Sequence, residues 1–542
     1  MARTALVVLK SAVMPILRPA RRLAPAAVAA IAWPLAPATA QAQSPRDLYQ
    51  NAVSHMQRGE WESAVAILRE VVSAVPGNAR LHNSLGIALS SSGDADAAAE
   101  QFRRALELDP RYASALKNMA LHEMARKRLD AAAPYFERLL EVSGGDPFAH
   151  VGLAEVAFAR RDFAGAVRHF ERSHGLLTRD PRLLVNFATA LVETQRPRQA
   201  AMALEKVPAA ADPQLHFQAG LLLAGLERFR LAAREFELAK GADAGTYELG
   251  FNLVLAYVRS DRHEDAIRAG EALLASEQPT AELSNLLSRA YEASGDTQRA
   301  YDALRTATEL DPGDESNYVD LVALCLEHEN FDLGVEIADI GVDRLPGSDR
   351  LHLQRGVALA MKGRFDDAEA AFRRSAELAP GRSLPGSALG LILMQQDRLP
   401  DAVRVLRARR EQTPDDYLVL WFLAEALQRS GVEPGSEAEE EAVGALRRSV
   451  ALNPELFQSH LLLGKMLARR GLLDEAVEHL ERARAIDSSD VSATYQLALV
   501  HRSRGNSEKA RELLAVVGQQ KRDDREEFTR GGLLRIVREG SP

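Results

Sequence analysis

The sequence predicts an all-α fold, an α-solenoid of about fourteen tandem helix–turn–helix repeats. The first observation is a phrase that recurs, as FRRALELDP from Phe102, FRRSAELAP from Phe372 and LRRSVALNP from Leu446. The second is that apolar residues recur at three- and four-residue steps, the pattern of an amphipathic helix. The third is composition, because alanine and leucine, which favour helix, are abundant and only 6% of residues are aromatic.

The repeat length is 34 residues. The interval from Phe102 to Phe372 is two residues short of eight such periods, and we assign the deficit to a short repeat near 208–212. The interval from Phe372 to Leu446 exceeds two periods by six residues, which an insert near Gly431–Glu441 accounts for. The predicted repeats 1–14 start at Pro45, Ala79, Ala113, Pro147, Pro181, Pro213, Tyr247, Ala281, Glu315, Asp349, Ser383, Tyr417, Phe457 and Val491.

Each repeat contains two amphipathic segments of about a dozen residues, separated by a Gly or polar residue that supports a tight turn. No single repeat can bury its apolar face, so neighbouring repeats must stack to form one elongated core. Small residues recur where the paired helices are expected to approach closely, at Gly86, Ala120, Ala154, Ala188, Gly220, Gly390 and Gly464.

This pattern resembles the tetratricopeptide repeat, with Gly86, Ala98, Phe102, Ala105 and Pro110 marking it in repeat 2. The resemblance extends over residues 44–524 and is weaker in repeats 5, 7, 9 and 11. It implies a right-handed superhelix whose concave groove is lined by the first helix of each repeat. It also implies that partner proteins or peptide segments bind in that groove.

The N-terminal residues 1–43 predict a secretory signal peptide. They carry five cations and no acid, then an apolar stretch and an Ala-x-Ala pattern, with cleavage after Ala40 or Ala42. Met14 is an alternative start. An uncleaved anchor is the competing interpretation, and the prolines and short apolar length argue against it. We therefore expect an exported protein, periplasmic or extracellular in a bacterium.

At the other end, residues 525–542 are polar and leave the repeat frame, which favours a solvated C-terminal cap or tail. The alternative is that the apolar side chains of this segment dock on a partner. Those side chains are Leu533, Leu534, Ile536 and Val537.

Charge and cysteine content exclude several classes of function. Removing the five N-terminal cations changes the formal net charge from −9 to about −14, and an acidic chain repels nucleic acid. No later stretch approaches the length of a membrane span, so we expect no transmembrane anchor after signal cleavage. The only cysteine, Cys325, excludes an intrachain disulfide, and its apolar neighbours predict a buried, unreactive thiol.

No residue pattern predicts catalysis, a cofactor or a metal. The chain lacks the Gly-rich phosphate-binding motifs. His122, His263 and His328 are each followed by Glu, but none has the second His four residues later that a zinc-protease helix requires. The repeats leave no segment long enough for an appended catalytic domain, so we predict that the protein is not an enzyme.

The resemblance assigns the candidate binding surface to the first helices. In repeats 4–7 the groove positions are mostly apolar, and exposed aromatic clusters often mark binding sites. The alternative is that these side chains pack between adjacent helices. The predicted apolar groove residues are Phe148, Val151, Phe158, Val185, Phe217, Leu221, Phe251, Leu255 and Val258.

Repeats 12–14 carry a different mixture at the groove positions. Four cations in an acidic protein suit an acidic partner segment, and a solvated face is the alternative. Some relatives clamp a C-terminal carboxylate with Lys and Asn residues, but here only Lys117 and Asn118 are similar, so that activity is not predicted. The predicted mixed groove residues are Trp421, Glu425, Arg429, Lys465, Arg469 and Arg502.

The favoured function is a non-catalytic protein–protein interaction scaffold of the bacterial cell envelope, which binds partner segments in the groove. One alternative is a carbohydrate- or peptidoglycan-binding envelope module that uses the groove aromatics. Another is an accessory subunit of an exopolysaccharide or secretion machine. These alternatives rest on analogy with the family rather than on a motif.

Overall fold

The computed structural model describes residues 44–520, apart from residue 174 and the segments 242–245 and 277–278. These residues form α-helices joined by short turns, with one 3₁₀ turn at Leu177–Arg179 and no strand. The predicted all-α fold of tandem helix–turn–helix repeats is therefore confirmed. The predicted signal peptide, residues 1–43, and the predicted tail, residues 525–542, lie outside the described residues.

The chain divides into two compact bodies, Met1–Gln278 and Pro279–Pro542, here called the N-terminal body and the C-terminal body. The N-terminal body contains repeats 1–7, each a pair of helices. Its helices are α1 Pro45–Arg58, α2 Trp61–Ala74, α3 Ala79–Ser92, α4 Ala95–Leu108, α5 Ala113–Ala125, α6 Leu129–Ser143, α7 Pro147–Ala159, α8 Phe163–Glu171, α9 Pro181–Glu193, α10 Pro197–Leu204, α11 Pro213–Gly225, α12 Phe229–Leu238, α13 Thr246–Val258 and α14 His263–Ser276.

The C-terminal body contains repeats 8–14 with the same alternation of first and second helices. The last helix, α28, is described over 507–520. The others are α15 Ala281–Ala293, α16 Thr297–Leu310, α17 Glu315–Glu327, α18 Phe331–Arg344, α19 Asp349–Met361, α20 Phe365–Leu378, α21 Ser383–Gln395, α22 Leu399–Gln412, α23 Tyr417–Arg429, α24 Glu437–Leu452, α25 Phe457–Arg469, α26 Leu473–Ile486 and α27 Val491–Ser503.

A glycine on the first helix receives a bulky side chain from the second helix in several repeats. A Cβ atom added at Gly220 would lie 2.5 Å from the Phe236 ring, and one added at Gly356 would lie 2.5 Å from the Phe372 ring. Both rings are almost fully buried, at 0% and 3% exposure. The absence of a side chain therefore lets the two helices of a repeat pack at close range.

The turn between the helices of each repeat contains at least one residue in the left-handed backbone region. Gly93 (φ 96°) and Gly363 (φ 71°) supply it in repeats 2 and 10. In repeats 4 and 6 the position is held by Arg161 (φ 61°) and Glu227 (φ 58°). Glycine adopts this conformation without steric cost, whereas a side chain makes it less favourable.

Two repeats depart from the regular length. Helix α10 of repeat 5 has only 8 residues, and the chain then reaches α11 through the short segment that contains 208–212. Helix α24 of repeat 12 has 16 residues and begins within the predicted insert. The Glu441 carboxylate in α24 accepts hydrogen bonds from Arg407 at 2.6 Å and Arg410 at 2.7 Å on α22, which connects the insert to the preceding repeat.

None of the helices with described residues is long and apolar enough to cross a membrane.

Candidate functional site: side chains of the first helices

Helix α7 carries the first residues of the predicted apolar groove. A side-chain cap defines where this helix begins. The Asp146 carboxylate accepts hydrogen bonds from the backbone N–H groups of Phe148 at 2.8 Å and Ala149 at 3.2 Å. Pro147 occupies the first helical position, where its missing N–H costs nothing. The Phe148 ring at the start of this helix lies 6.2 Å from the Phe136 ring of α6.

Four of the nine predicted apolar groove residues are buried and do not line an open surface. Val151, Val185, Phe217 and Leu221 are between 4% and 9% exposed. Neighbouring first helices contact one another, and the Phe217 ring also lies 5.9 Å from the Phe236 ring of its own repeat. The prediction of an open apolar groove is therefore corrected at these four positions, where the packing interpretation holds.

The other five side chains are half-buried and lie in two groups, on α7 of repeat 4 and on α13 of repeat 7. We call the two groups together the apolar surface: Phe148 and Phe158 on α7, and Phe251, Leu255 and Val258 on α13. Phe158 lies edge-on to Phe163, with ring centroids 5.7 Å apart. Phe251 stacks on Tyr247 with centroids 6.1 Å apart. These neighbours fix the orientation of the rings while part of each stays accessible, which is the property of a preorganised binding contact.

The pair Lys117 and Asn118 is engaged within the protein. The Lys117 ammonium lies 3.8 Å from the centroid of the Phe148 ring, a cation–π contact. The Asn118 side-chain amide donates to the Asn83 side-chain carbonyl at 2.9 Å. These contacts connect the first helices of successive repeats, so the resemblance to a carboxylate clamp has a structural explanation.

Sequence reasoning missed Glu155, which lies on α7 between the apolar side chains. It is half-buried, and burial raises the pKa of its carboxyl above the ordinary value, opposed by Arg182 and reinforced by Asp180. The signal was present in the sequence, because Glu155 stands at a groove position where repeats 6 and 7 have Leu221 and Leu255.

The predicted mixed groove residues are all half-buried or exposed, and we call these six side chains the mixed surface. Asp416 caps α23 by accepting a hydrogen bond from the Leu418 N–H at 2.9 Å. Within this helix the Trp421 and Phe422 rings have centroids 4.4 Å apart. One Arg429 N–H donates to the Met394 carbonyl at 3.0 Å.

The remaining charges of the mixed surface are loosely compensated. Arg469 lies 3.8 Å from the Glu439 carboxylate. Among the described residues, Lys465 and Arg502 have no ion pair. Tyr495 was missed by the sequence reasoning, although it is 44% exposed on α27 at the repeat position that Trp421 occupies on α23.

Recurrent histidines have a structural role. They stand at the fourth position of several repeats, and the Nε2 atoms of His82 and His460 lie 2.9 Å and 3.2 Å from proline carbonyls at the end of the preceding repeat. Over the described part of the chain, no group of three or more His, Cys, Asp or Glu residues could hold a metal ion. Burial raises the pKa of the Cys325 thiol to about 11, so it is not a nucleophile at neutral pH.

A family model described as tetratricopeptide repeat matches residues 49–113, 85–147, 117–175, 251–315, 325–383 and 440–491. A second model with the same description matches residues 467–529. Together these ranges include more than half of the chain. None of the curated proteins matches it.

Three solved structures that match this chain have low sequence identity to it. The crystal structure of the APC/C hetero-tetramer Cut9-Hcn1 is 14% identical, with a TM-score of 0.35, covering 87% of this chain and 93% of that one. Yeast Tom70 is 16% identical with a TM-score of 0.40, covering 86% and 96%. MamA is 20% identical with a TM-score of 0.29, covering 32% and 96%.

Proposed function

The chain belongs to the tetratricopeptide repeat family, whose members typically bind proteins or peptides, and we propose that it is a non-catalytic scaffold that binds partner segments through its first helices. The observation that carries this proposal is the apolar surface. Three phenylalanines and two aliphatic side chains stay half-buried on the first helices of one body, and each of the three phenylalanine rings packs against a neighbouring aromatic ring. Half-buried aromatic anchors of this kind supply most of the affinity in many protein interfaces.

The mixed surface is proposed as a second contact region with a different preference. Trp421 offers an aromatic face, and Lys465 and Arg502 offer cations without an ion-pair partner among the described residues. An acidic partner segment would suit this surface electrostatically. We expect no nucleic acid partner for either region, since the chain has a net charge of −9 and an acidic chain repels nucleic acid.

The cellular setting of the proposed scaffold is a bacterial envelope, either periplasmic or extracellular. The basic start, apolar stretch and Ala-x-Ala pattern of residues 1–43 support export. N-terminal sequencing of the protein isolated from its native host tests this, with a start after Ala40 or Ala42 as the expected result. An intact Met1 or Met14 on the isolated protein would contradict export by a cleaved signal.

The binding proposal is tested by replacing Phe148, Phe158 and Phe251 individually with serine in the full-length protein. Each variant and the wild type are used to capture envelope proteins, and the captured set is compared. We expect each substitution to reduce capture of the same partner, because each removes an aromatic contact without removing a charge. The matched control is Met202→Ser, since Met202 is 61% exposed on the second helix α10.

Circular dichroism and thermal unfolding of every variant separate lost binding from lost folding. If folded variants capture the same proteins as the wild type, the apolar surface is not the binding region. Binding of the protein to an array of peptidoglycan fragments and other glycans, reduced by the same substitutions, would instead favour the carbohydrate-binding alternative. Co-isolation with a polysaccharide-export or secretion complex would favour the accessory-subunit alternative.

A further inference from the structure

Glu155 is the one charged side chain among the apolar groove positions of repeat 4. Val151 stands four residues before it and Phe158 three residues after it on α7, so the three side chains share one face of the helix. The carboxyl is half-buried, and the described residues give it no hydrogen bond and no ion pair. A carboxylate at the edge of an apolar surface is therefore hydrated only on its open side.

The cation that acts electrostatically on this carboxylate, Arg182, does not neutralise it. Arg182, at the start of α9, donates from its Nε and Nη2 groups to the Asp180 carboxylate, with the Nη2–Oδ2 distance at 2.5 Å. Arg182 is thus shared between two acids, and Asp180 and Glu155 together carry one more negative charge than it supplies. The raised pKa of Glu155, caused mainly by burial, agrees with this incomplete compensation.

The same position of the other repeats in the N-terminal body is occupied by uncharged side chains. Glu155 is the ninth residue of its repeat, and no other repeat of this body has an ionisable residue there. The residues at this position in repeats 1, 2, 3, 5, 6 and 7 are Val53, Ile87, Leu121, Thr189, Leu221 and Leu255.

A partner segment that covers the apolar surface would remove the remaining water from the carboxylate. Burying an ionised carboxylate without a partner is costly, and the cost falls when a cation with good hydrogen-bond geometry is supplied. A wholly apolar segment would therefore bind only with Glu155 protonated, whereas a segment with a suitably placed ammonium or guanidinium binds the charged form.

We propose that the apolar surface selects a protein segment carrying a lysine or arginine between apolar side chains, and that Glu155 accepts a hydrogen bond from that cation. This inference rests on the proposed function, because it requires that a partner segment binds at the apolar surface. It assigns to Glu155 the role of a specificity-determining residue, while the aromatic side chains provide contact area.

The test uses the full-length protein and a library of random synthetic 12-residue peptides as the probe. Wild type, Glu155→Gln and Glu193→Gln are compared for the peptides they retain. Glu193 is the matched control, since it is an exposed carboxylate at the end of the next first helix, α9, and its replacement removes the same charge. The isosteric amide keeps the shape of the side chain and removes only its charge.

We expect wild type and Glu193→Gln to enrich peptides that combine apolar residues with a lysine or arginine. Glu155→Gln should retain the apolar preference and bind the cationic peptides about tenfold more weakly, as expected for loss of a hydrogen bond between charged groups. For the wild type, affinity for a selected lysine peptide should fall as the pH is lowered toward the raised pKa of Glu155, and this fall should be absent in Glu155→Gln.

Equal enrichment of lysine and arginine by wild type and Glu155→Gln, or enrichment of purely apolar peptides by both, would overturn the role of Glu155 and leave the proposed function standing. Peptide binding that is unaffected by Phe148→Ser and Phe251→Ser would contradict the proposed function itself, and the Glu155 inference with it. The absence of any retained peptide would count against both.

Discussion

At the ninth position of their repeats, the two bodies carry different chemistry on the same backbone framework. The N-terminal body has the half-buried Leu255 in repeat 7 and one carboxylate, Glu155, in repeat 4. The C-terminal body has Glu425 and Lys465 in successive repeats. The positions that face away from the paired helix are thus free to vary, and their variation distinguishes an apolar surface from a mixed one.

The positions that join the two helices of a repeat vary much less. In the N-terminal body the residue packed against the first helix is phenylalanine in several repeats, including Phe136, Phe170 and Phe236. In the C-terminal body Phe372 takes this place in repeat 10, and leucine does so in repeats such as 11 and 13. The constraint follows from packing, because a side chain of the wrong volume leaves a cavity or strains its neighbours.

The largest predicted effect tests whether this packing rule is shared by the two bodies. Phe236→Ala and Phe372→Ala remove equivalent rings, which pack against Gly220 and Gly356. In both repeats a Cβ atom added at the glycine would lie 2.5 Å from the ring. We expect each substitution to lower the free energy of unfolding by about 3–5 kcal/mol, measured by chemical denaturation. Hydrogen exchange should show the loss of protection centred on the substituted repeat and its neighbours.

Met202→Ala is the control for this comparison, because its side chain is exposed and should change stability by about 0.5 kcal/mol or less. If the two phenylalanine variants differed by more than about 2 kcal/mol, the equivalence of the two bodies at this position would be broken, because the same large-to-small change covers a range of roughly that width.

A smaller effect is expected from two histidine pairs, one in each body. The Nδ1 atoms of His150 and His169 are 3.0 Å apart in repeat 4, and those of His460 and His479 are 3.1 Å apart in repeat 13. In each pair one ring donates and the other accepts, so two protonated rings would set two N–H donors against each other. In repeat 2 the second histidine is replaced by Gln101, which forms a hydrogen bond with His82.

Burial and the neighbouring ring lower the pKa of His169 and His460 below the ordinary value of 6.5, and burial lowers that of His479. In the pH range just below 6.5 these three rings therefore bind more protons in the unfolded chain than in the folded chain. Stability should fall as the pH is lowered through this range, and it should be regained when the pH is raised.

His169→Gln and His479→Gln test this dependence by copying the His82–Gln101 arrangement, which keeps a hydrogen bond and removes one titrating ring. We expect each variant to unfold with a smaller pH dependence than the wild type between pH 7.5 and 5.5, followed by thermal unfolding. An unchanged pH dependence in both variants would mean that other groups control the acid sensitivity of both bodies.

The fold was predictable from the sequence because the residues that pack between helices recur at fixed intervals along the chain. The buried Phe102 and Ala105 and the exposed Arg103 follow directly from the helical period. The exposure of the candidate groove side chains was less predictable. The 34-residue repeat identifies which positions face the groove, but it does not say how closely the next helix approaches them. Phe217 and Phe251 stand at the same repeat position, yet Phe217 is 4% exposed and Phe251 is half-buried.

Repeat 11 illustrates a second limit of sequence reasoning. Arg409 stands where repeat 2 has Ala105, and a charged residue at such a position suggests exposure. The side chain is instead 5% exposed and lies against Gly386. It donates a hydrogen bond to the Pro380 carbonyl. The space for it comes from a glycine on the facing helix, a pairwise relation that no single-residue pattern displays.

The smallest predicted effect concerns the turns, where the two bodies also differ. Repeats 3–7 of the N-terminal body all place a non-glycine residue in the left-handed region, including Glu227 at φ 58°. Most turns of the C-terminal body use glycine, as at Gly363 with φ 71°. No atom lies within 4 Å of a Cβ added at Gly363, so Gly363→Ala changes the backbone preference without a steric contact.

Gly363→Ala should lower the free energy of unfolding by about 1 kcal/mol, because alanine adopts the left-handed conformation at a cost of that order. Glu227→Gly should raise it by only a few tenths of a kcal/mol, since the relief of this cost is offset by the greater freedom of glycine in the unfolded chain. Chemical denaturation measures both. Destabilisation by Glu227→Gly would show that the glutamate side chain contributes contacts that outweigh its backbone cost, and the turns of the two bodies would then differ in mechanism as well as in sequence.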